Sequence, residues 1–209
     1  MILTESVSGY VERVRSAPDR LLAEMETHAQ RDAIPVVVPA TGQLLQVLAL
    51  AVHARRALEV GTAIGVSTLY IARGLAPDGE VVSFEVDAER HATAGEYLER
   101  AGVGDRVDLR CKDARAGLLE LEGKFDFAFL DGVKAEYGAY FEAVLPLLDD
   151  GAVLVIDNVL LSGSVAGPED GGSERASMMR SFNERILHHP ELTATLTPVG
   201  DGVIVAVRQ

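Results

Sequence analysis

The chain has 209 residues, 48% of them hydrophobic and 24% charged, with no tryptophan and a formal net charge of −13. That length suits one domain with a sizeable core, and the acidic balance argues against a protein that grips a nucleic-acid backbone over a wide surface, though not against a local basic patch. The single cysteine, Cys111, leaves no disulfide within the chain and no thiolate metal cage; it reads as a small core residue on a strand in a reducing cytoplasm.

The opening M-I-L-T-E-S has neither a basic nor an apolar targeting segment, and the most apolar run, Leu44 to Val52, is shorter than the ~20 residues of a membrane span. A cytoplasmic chain is therefore expected, without a membrane partner. Residues 4–30 read as two helices. Val7, Tyr10, Val11 and Val14 share one apolar face, and Leu21, Leu22 and Met25 share the next. Ala17-Pro18-Asp19 marks the break, with a proline suited to a first helical turn. Ile34 to Pro39 carries two prolines and reads as extended; Ala40 to His53 reads as a buried helix.

From there the pattern alternates. Strands are expected at 57–60, 80–85, 106–110, 125–130 and 152–156, with helical stretches at 66–75, 88–101, 114–121 and 134–148 between them. Such alternation implies a parallel sheet with right-handed crossovers and helices on both faces. The runs 125–130 and 152–156 are apolar throughout, as in central strands buried on both faces. Gly163 to Ser173, rich in glycine and acids, is a candidate mobile loop, followed by a helix at 174–188. Leu192 to Val199 and Val203 to Val207 flank Gly200-Asp201-Gly202 and read as an antiparallel hairpin. The expected fold is α/β: a doubly wound, mostly parallel seven-stranded sheet ending in that hairpin, as a single domain over 1–209.

The chemistry gathers at strand ends. Ala57 to Ser67, A-L-E-V-G-T-A-I-G-V-S, runs from a strand through two glycines into a helix start. That is a cradle for a nucleotide-like ligand, because glycines allow close backbone approach and a helix N-terminus offers unpaired N–H donors. A nicotinamide or flavin fingerprint would need glycine where Ala63 sits. Glu85, at the end of the next strand, is placed to hold two ribose hydroxyls, which points to an adenosine-type ligand.

Asp131 and the pair Asp157-Asn158 follow the two most apolar strands. If those strands are neighbours, their ends lie ~4.8 Å apart, and two carboxylates with an amide oxygen suit a hard cation such as Mg²⁺. Asp131 equally suits a helix N-cap, and Asp157-Asn158 a strand-ending turn. Lys134 lies one helical turn after Asp131, either as a base in the same crevice or as a solvated lysine. Asp113 could accept from an adenine amino group or cap the helix after it. The five histidines form no ligand spacing.

Taken together, L-E-V-G-T-A-I-G-V-S-T-L (58–69), F-E-V-D (84–87), K-D-A (112–114), F-D-F-A-F-L-D-G-V-K-A-E-Y (125–137), L-V-I-D-N-V-L-L-S-G-S-V (154–165) and P-V-G-D-G-V (198–203) carry a resemblance. Over residues 35–207 the chain resembles the cation-dependent class I O-methyltransferases that use S-adenosylmethionine, the catechol and caffeoyl-CoA O-methyltransferase group. The resemblance implies that Glu59, Gly61 and Ser67 line the methionine end of the cofactor, with the backbone near Val38 closing over it. It implies that Glu85 holds the ribose and that Asp113 and Ala114 flank the adenine. Asp131, Asp157 and Asn158 would bind a divalent metal, with Mg²⁺ expected, and Lys134 would be the general base beside Asp131. Gly132-Val133 and Lys112 depart from the family's usual residues without touching a ligand side chain. No residue matches the acid that orients catechol in the animal enzyme, which leaves the acceptor open.

The implied reaction moves a methyl group to a vicinal dihydroxy aromatic small molecule. A phenol has a pKa near ~10, and chelation of a cation lowers it and fixes the nucleophile. The family also implies a homodimer contact or a site cover from the N-terminal helices (1–53). Competing expectations are a tRNA hydroxyuridine methyltransferase using a patch around Arg13, Arg15, Arg55 and Arg56, a non-catalytic S-adenosylmethionine-binding module, and a dehydrogenase. The 163–173 loop, which follows Asp157-Asn158, is expected to help choose the acceptor.

Overall fold

The computed structural model describes residues 5–167 and 173–209. Seven strands form one sheet: β1 (Arg56–Val60), β2 (Glu80–Glu85), β3 (Val107–Cys111), β4 (Phe125–Leu130), β5 (Leu148–Ile156), β6 (Leu192–Thr197) and β7 (Val203–Arg208). Their order is β3-β2-β1-β4-β5-β7-β6. β1 to β5 run parallel, and β7 runs antiparallel between β5 and β6. Chain order reverses between β1 and β4, the place where open α/β sheets leave a crevice beyond the strand ends. This is the doubly wound sheet with a C-terminal antiparallel pair that the alternation predicts.

The central strands are buried on both faces, and their residues sort by parity. Phe127 and Phe129 of β4 pack with Val153 and Val155 of β5 on one side of the sheet. Ala128 and Leu130 pack with Leu154 and Ile156 on the other. Val60 pairs with Leu130, and Leu130 with Ile156. The ladder continues for one more step, since Asp131 N–H donates to the Val60 carbonyl at 2.9 Å and Asp157 N–H to the Leu130 carbonyl at 3.1 Å. Asp131 and Asp157 thus leave the sheet side by side.

Among the described residues eight α-helices surround it: α1 (Glu5–Val14), α2 (Arg20–Arg31), α3 (Pro39–Ala51), α4 (Val66–Gly74), α5 (Ala88–Arg100), α6 (Ala114–Leu118), α7 (Tyr137–Val144) and α8 (Glu174–Leu187). Asp19 caps α2, accepting from Leu22 N–H at 2.9 Å, so Pro18 lies just outside the helix. The proline that opens a helix is Pro39. The stretch expected as one helix at 134–148 divides into a 3₁₀ turn, α7 and a second 3₁₀ turn over Leu145–Leu147, and β5 begins at Leu148. Pro146 accounts for the end of α7, because it cannot donate to a continuing helix.

Three further expectations change. Cys111 is exposed: it ends β3, an edge strand with β2 on one side only. Tyr10, Val11 and Val14 of α1 are exposed at 58%, 44% and 61%, so that apolar face does not join the core. In α3, Thr41, Gly42, Leu45 and Ala49 are buried while Val47 and Leu50 face outward, so one side only is covered. After Gly163 comes a 3₁₀ turn at Ser164–Ala166, and Ser173 caps α8; the middle of the expected mobile loop, 168–172, lies outside the described residues. Among the described residues no helix is long and apolar enough to cross a membrane.

Candidate active site

The turn after β1 makes the floor of the site. Gly61 has φ 98°, and a Cβ there would lie 2.3 Å from the Asp131 carbonyl oxygen, so only glycine lets the exits of β1 and β4 meet. Ala63 holds φ 48°, in the left-handed region, and its N–H donates to Glu85 Oε2 at 2.8 Å. α4 then begins with no side-chain cap, which leaves the N–H groups of its first turn for a ligand.

Beyond the carboxyl ends of the strands lies a cavity of about 480 Å³, within the usual size of small-molecule sites. Its walls include Val38, Gly61, Ser67, Glu85, Asp113 and Ala114. Glu85 ends β2 with Oε1 accepting from Asp87 N–H at 2.9 Å and Oε2 from Ala63 N–H. Both oxygens are therefore fixed and each keeps a free lone pair, which is the arrangement a vicinal diol needs. Asp113 caps α6, accepting from Arg115 N–H at 2.8 Å, and pairs with the Arg115 guanidinium at 2.8 Å. That guanidinium holds its carboxyl below the usual range. The capping reading of Asp113 is thus observed, and its carboxylate is already engaged.

Glu59 differs from the other sequence-picked residues. It has no exposed surface and lies under the floor rather than in the wall. Its Oε2 accepts from Thr68 Oγ1 at 2.5 Å and from Ser83 Oγ at 2.6 Å, joining α4 and β2 to β1, while Oε1 has no hydrogen-bond partner. Burial raises the carboxyl to about 6, against the hydroxyls of Ser67, Ser83 and Thr68, which favour the charged form.

Asp131, Lys134, Asp157 and Asn158 line the acidic end of the same cavity. Lys134 Nζ donates to Asp131 Oδ1 at 2.6 Å, so the lysine does point into the crevice. Asp131 is not a helix cap; Val133 takes that place. Burial raises the Asp131 carboxyl and Lys134 opposes the rise. Asp157 is 2% exposed. Burial and then the charge of Asp131 push its carboxyl up to about 7. Two buried carboxyls, one of them raised by the charge of the other, with Asn158 lining the same end, offer an all-oxygen set that fits a hard cation. Among the described residues no group of three or more His, Cys, Asp or Glu is placed to hold a metal, so an ion here would rest on this mixed set and on water.

Asp201 also lines this end and adds to the rise at Asp157. The sequence reading treats it as a turn residue only, since a hairpin turn gives no sign of which strand end it will face. The patch offered for nucleic acid is largely neutralised. Arg15 pairs with Glu12, Arg55 with Asp78 and Arg56 with Glu80.

The O-methyltransferase family model matches residues 14–209. Tricin synthase 2 of Oryza sativa subsp. japonica is 38% identical over 81% of this chain and 62% of its own length. The catechol O-methyltransferase of Mycobacterium tuberculosis is 39% identical over 74% of this chain and 70% of its own. Among solved structures, an O-methyltransferase from Bacillus cereus in complex with SAH superposes with a TM-score of 0.86 at 35% identity, covering 98% of this chain and 97% of that one. The chain belongs to the S-adenosylmethionine-dependent O-methyltransferases of the catechol and caffeoyl-CoA type.

Proposed function

We propose that this protein methylates a hydroxyl of a vicinal dihydroxy aromatic small molecule, using S-adenosylmethionine and a divalent cation, with Mg²⁺ the expected ion. The observation that supports this best is the pair of neighbouring strand ends carrying Asp131 and Asp157, with Lys134 2.6 Å from Asp131, at the far end of the cavity from Glu85. Glu85 would hold the ribose hydroxyls, Asp113 and Ala114 the adenine edge, and Gly61, Ser67 and Val38 the methionine end. Glu59 would support that end from below through Thr68 and Ser83.

Bound at Asp131, Asp157 and Asn158, the cation would supply charge that lowers the acceptor hydroxyl's pKa and fixes its oxygen. With Asp131 engaged in holding the ion, Lys134 would act from its neutral amine form, the form of Nζ that can receive the acceptor's proton. The walls would align the acceptor oxygen with the donor methyl, so that the chain contributes chiefly positioning. An acidic end with one lysine, itself paired, favours a small acceptor over a polyanion such as tRNA. We also propose a cytoplasmic homodimer, in which the exposed Tyr10, Val11, Val14, Val47 and Leu50 would be covered by a second copy.

The test is methyl transfer from S-adenosylmethionine to caffeic acid with Mg²⁺ or with EDTA. Turnover that EDTA abolishes and that Asp157→Ala lowers at least ~100-fold is expected, as for loss of a directly bound ligand. Turnover indifferent to EDTA would remove the cation from the reaction. S-adenosylmethionine binding without turnover would point to another acceptor.

A further inference from the structure

The turn between β6 and β7, Gly200-Asp201-Gly202, reaches in two directions. On one side it holds the backbone that follows Asp157-Asn158. The Gly202 carbonyl accepts from Val159 N–H at 3.1 Å, and the Asp201 carbonyl from Leu160 N–H at 2.9 Å. Asp201 Oδ1 accepts from Ser162 N–H at 2.6 Å. On the other side it meets the start of α3, where a Cβ on Gly200 would lie 2.8 Å from Thr41 Oγ1 and 3.1 Å from Val38 Cγ2. Gly202 is as constrained, because a Cβ there would lie 2.3 Å from Leu160 Cγ.

The held segment needs such restraint. Asn158, Leu161 and Ser162 have φ of 57°, 47° and 52°, all in the left-handed region. For Leu161 and Ser162 this costs about 1–2 kcal/mol each, less for Asn158, and the conformation of the pair persists only where neighbours enforce it. Released, the segment would relax and carry Asn158 away from Asp131 and Asp157.

We propose that Asp201 is a positioning residue for the cation site: by holding the Ser162 N–H, its carboxylate keeps the Asn158 segment in the left-handed conformation that brings Asn158 to the acidic end of the cavity. This rests on the cation reading above. The three bonds come from the turn between β6 and β7, so the C-terminal hairpin acts on the site by fixing its backbone, in addition to the charge that Asp201 brings near Asp157.

The test compares wild type, Asp201→Ala and Asp201→Asn for Mn²⁺ binding, read as free Mn²⁺ by electron paramagnetic resonance, and for amide exchange across residues 158–165. Asp201→Ala should lower Mn²⁺ affinity by about 10- to 100-fold, the usual size of an outer-shell loss, and speed exchange at Leu160 and Ser162. S-adenosylmethionine affinity should stay unchanged. Asp201→Asn should keep wild-type exchange at Leu160 and Ser162, since its amide oxygen still accepts from Ser162, and should lose less Mn²⁺ affinity than Asp201→Ala, the remainder being the effect of the removed charge. Wild-type Mn²⁺ affinity in Asp201→Ala would overturn the proposal, and so would equal loss in Asp201→Asn, which would make the charge itself the active element. A wild type that takes up no Mn²⁺ would remove the cation reading, and the exchange rates would still decide whether Asp201 holds the segment. If Asp201→Ala does not fold, Asp201→Ser, whose shorter side chain stops short of Ser162, replaces it with the same expectations.

Discussion

Glu59 places a carboxyl group where no water reaches it, held by two hydroxyls on one oxygen and by none on the other. Its folded pKa of about 6 lies above the ordinary 4.5, so the folded protein binds that proton more tightly than the unfolded chain does. Stability from this group is therefore fully present below about 4.5 and is lost as pH rises through about 6, a loss on the order of 2 kcal/mol. Glu59→Gln should flatten the pH dependence of urea unfolding across that window. A variant with the wild-type slope would place the cause elsewhere. At this scale the sequence was readable for where a side chain stands when that follows from being at a strand end, as for Glu85, Asp131, Asp157 and Asn158, all of which line the cavity. It was not readable for Glu59, because whether a strand residue faces the cavity or the floor depends on which helix packs over it.

Among the elements, the turn after β1 sets the geometry of the whole site. Gly61 meets the backbone of Asp131, so the cofactor cradle and the acidic end share one contact. Gly61→Ala would add a left-handed alanine and force the β1 and β4 exits apart; the expected loss is more than about 2 kcal/mol of stability, seen as a lower denaturant midpoint. An unchanged midpoint would mean that the exits can separate freely. The strands and their alternation with helices could be read from the sequence, since period and apolar runs are local properties. The start of β5 at Leu148 and the exposure of Cys111 could not, because they depend on how strands pair across the sheet and on which strand becomes an edge.

For the whole molecule, a net charge of −13 goes with several exposed apolar residues, five of them on α1 and α3. Tyr10, Val11, Val14, Val47 and Leu50 all lie outside the core, although their periodicity is that of buried helix faces. Sedimentation velocity should show a dimer, and Leu50→Glu should shift it toward monomer without changing the S-adenosylmethionine affinity. A monomeric wild type would leave α1 and α3 as a cover only. The apolar period on α1 was visible in the sequence, but period alone does not say whether the partner is the same chain.

The sheet order also has a consequence for synthesis. β6 is made before β7 yet reaches the sheet only through it, since β7 sits between β5 and β6. On the ribosome, β1 to β5 can pair as they emerge, while β6 waits with no partner and β5 keeps one open edge. The strand ends that carry Gly61, Glu85, Asp131 and Asp157 are thus made before the turn that holds the Leu160 and Ser162 N–H groups, so the walls of one cavity come from the ribosome in two instalments.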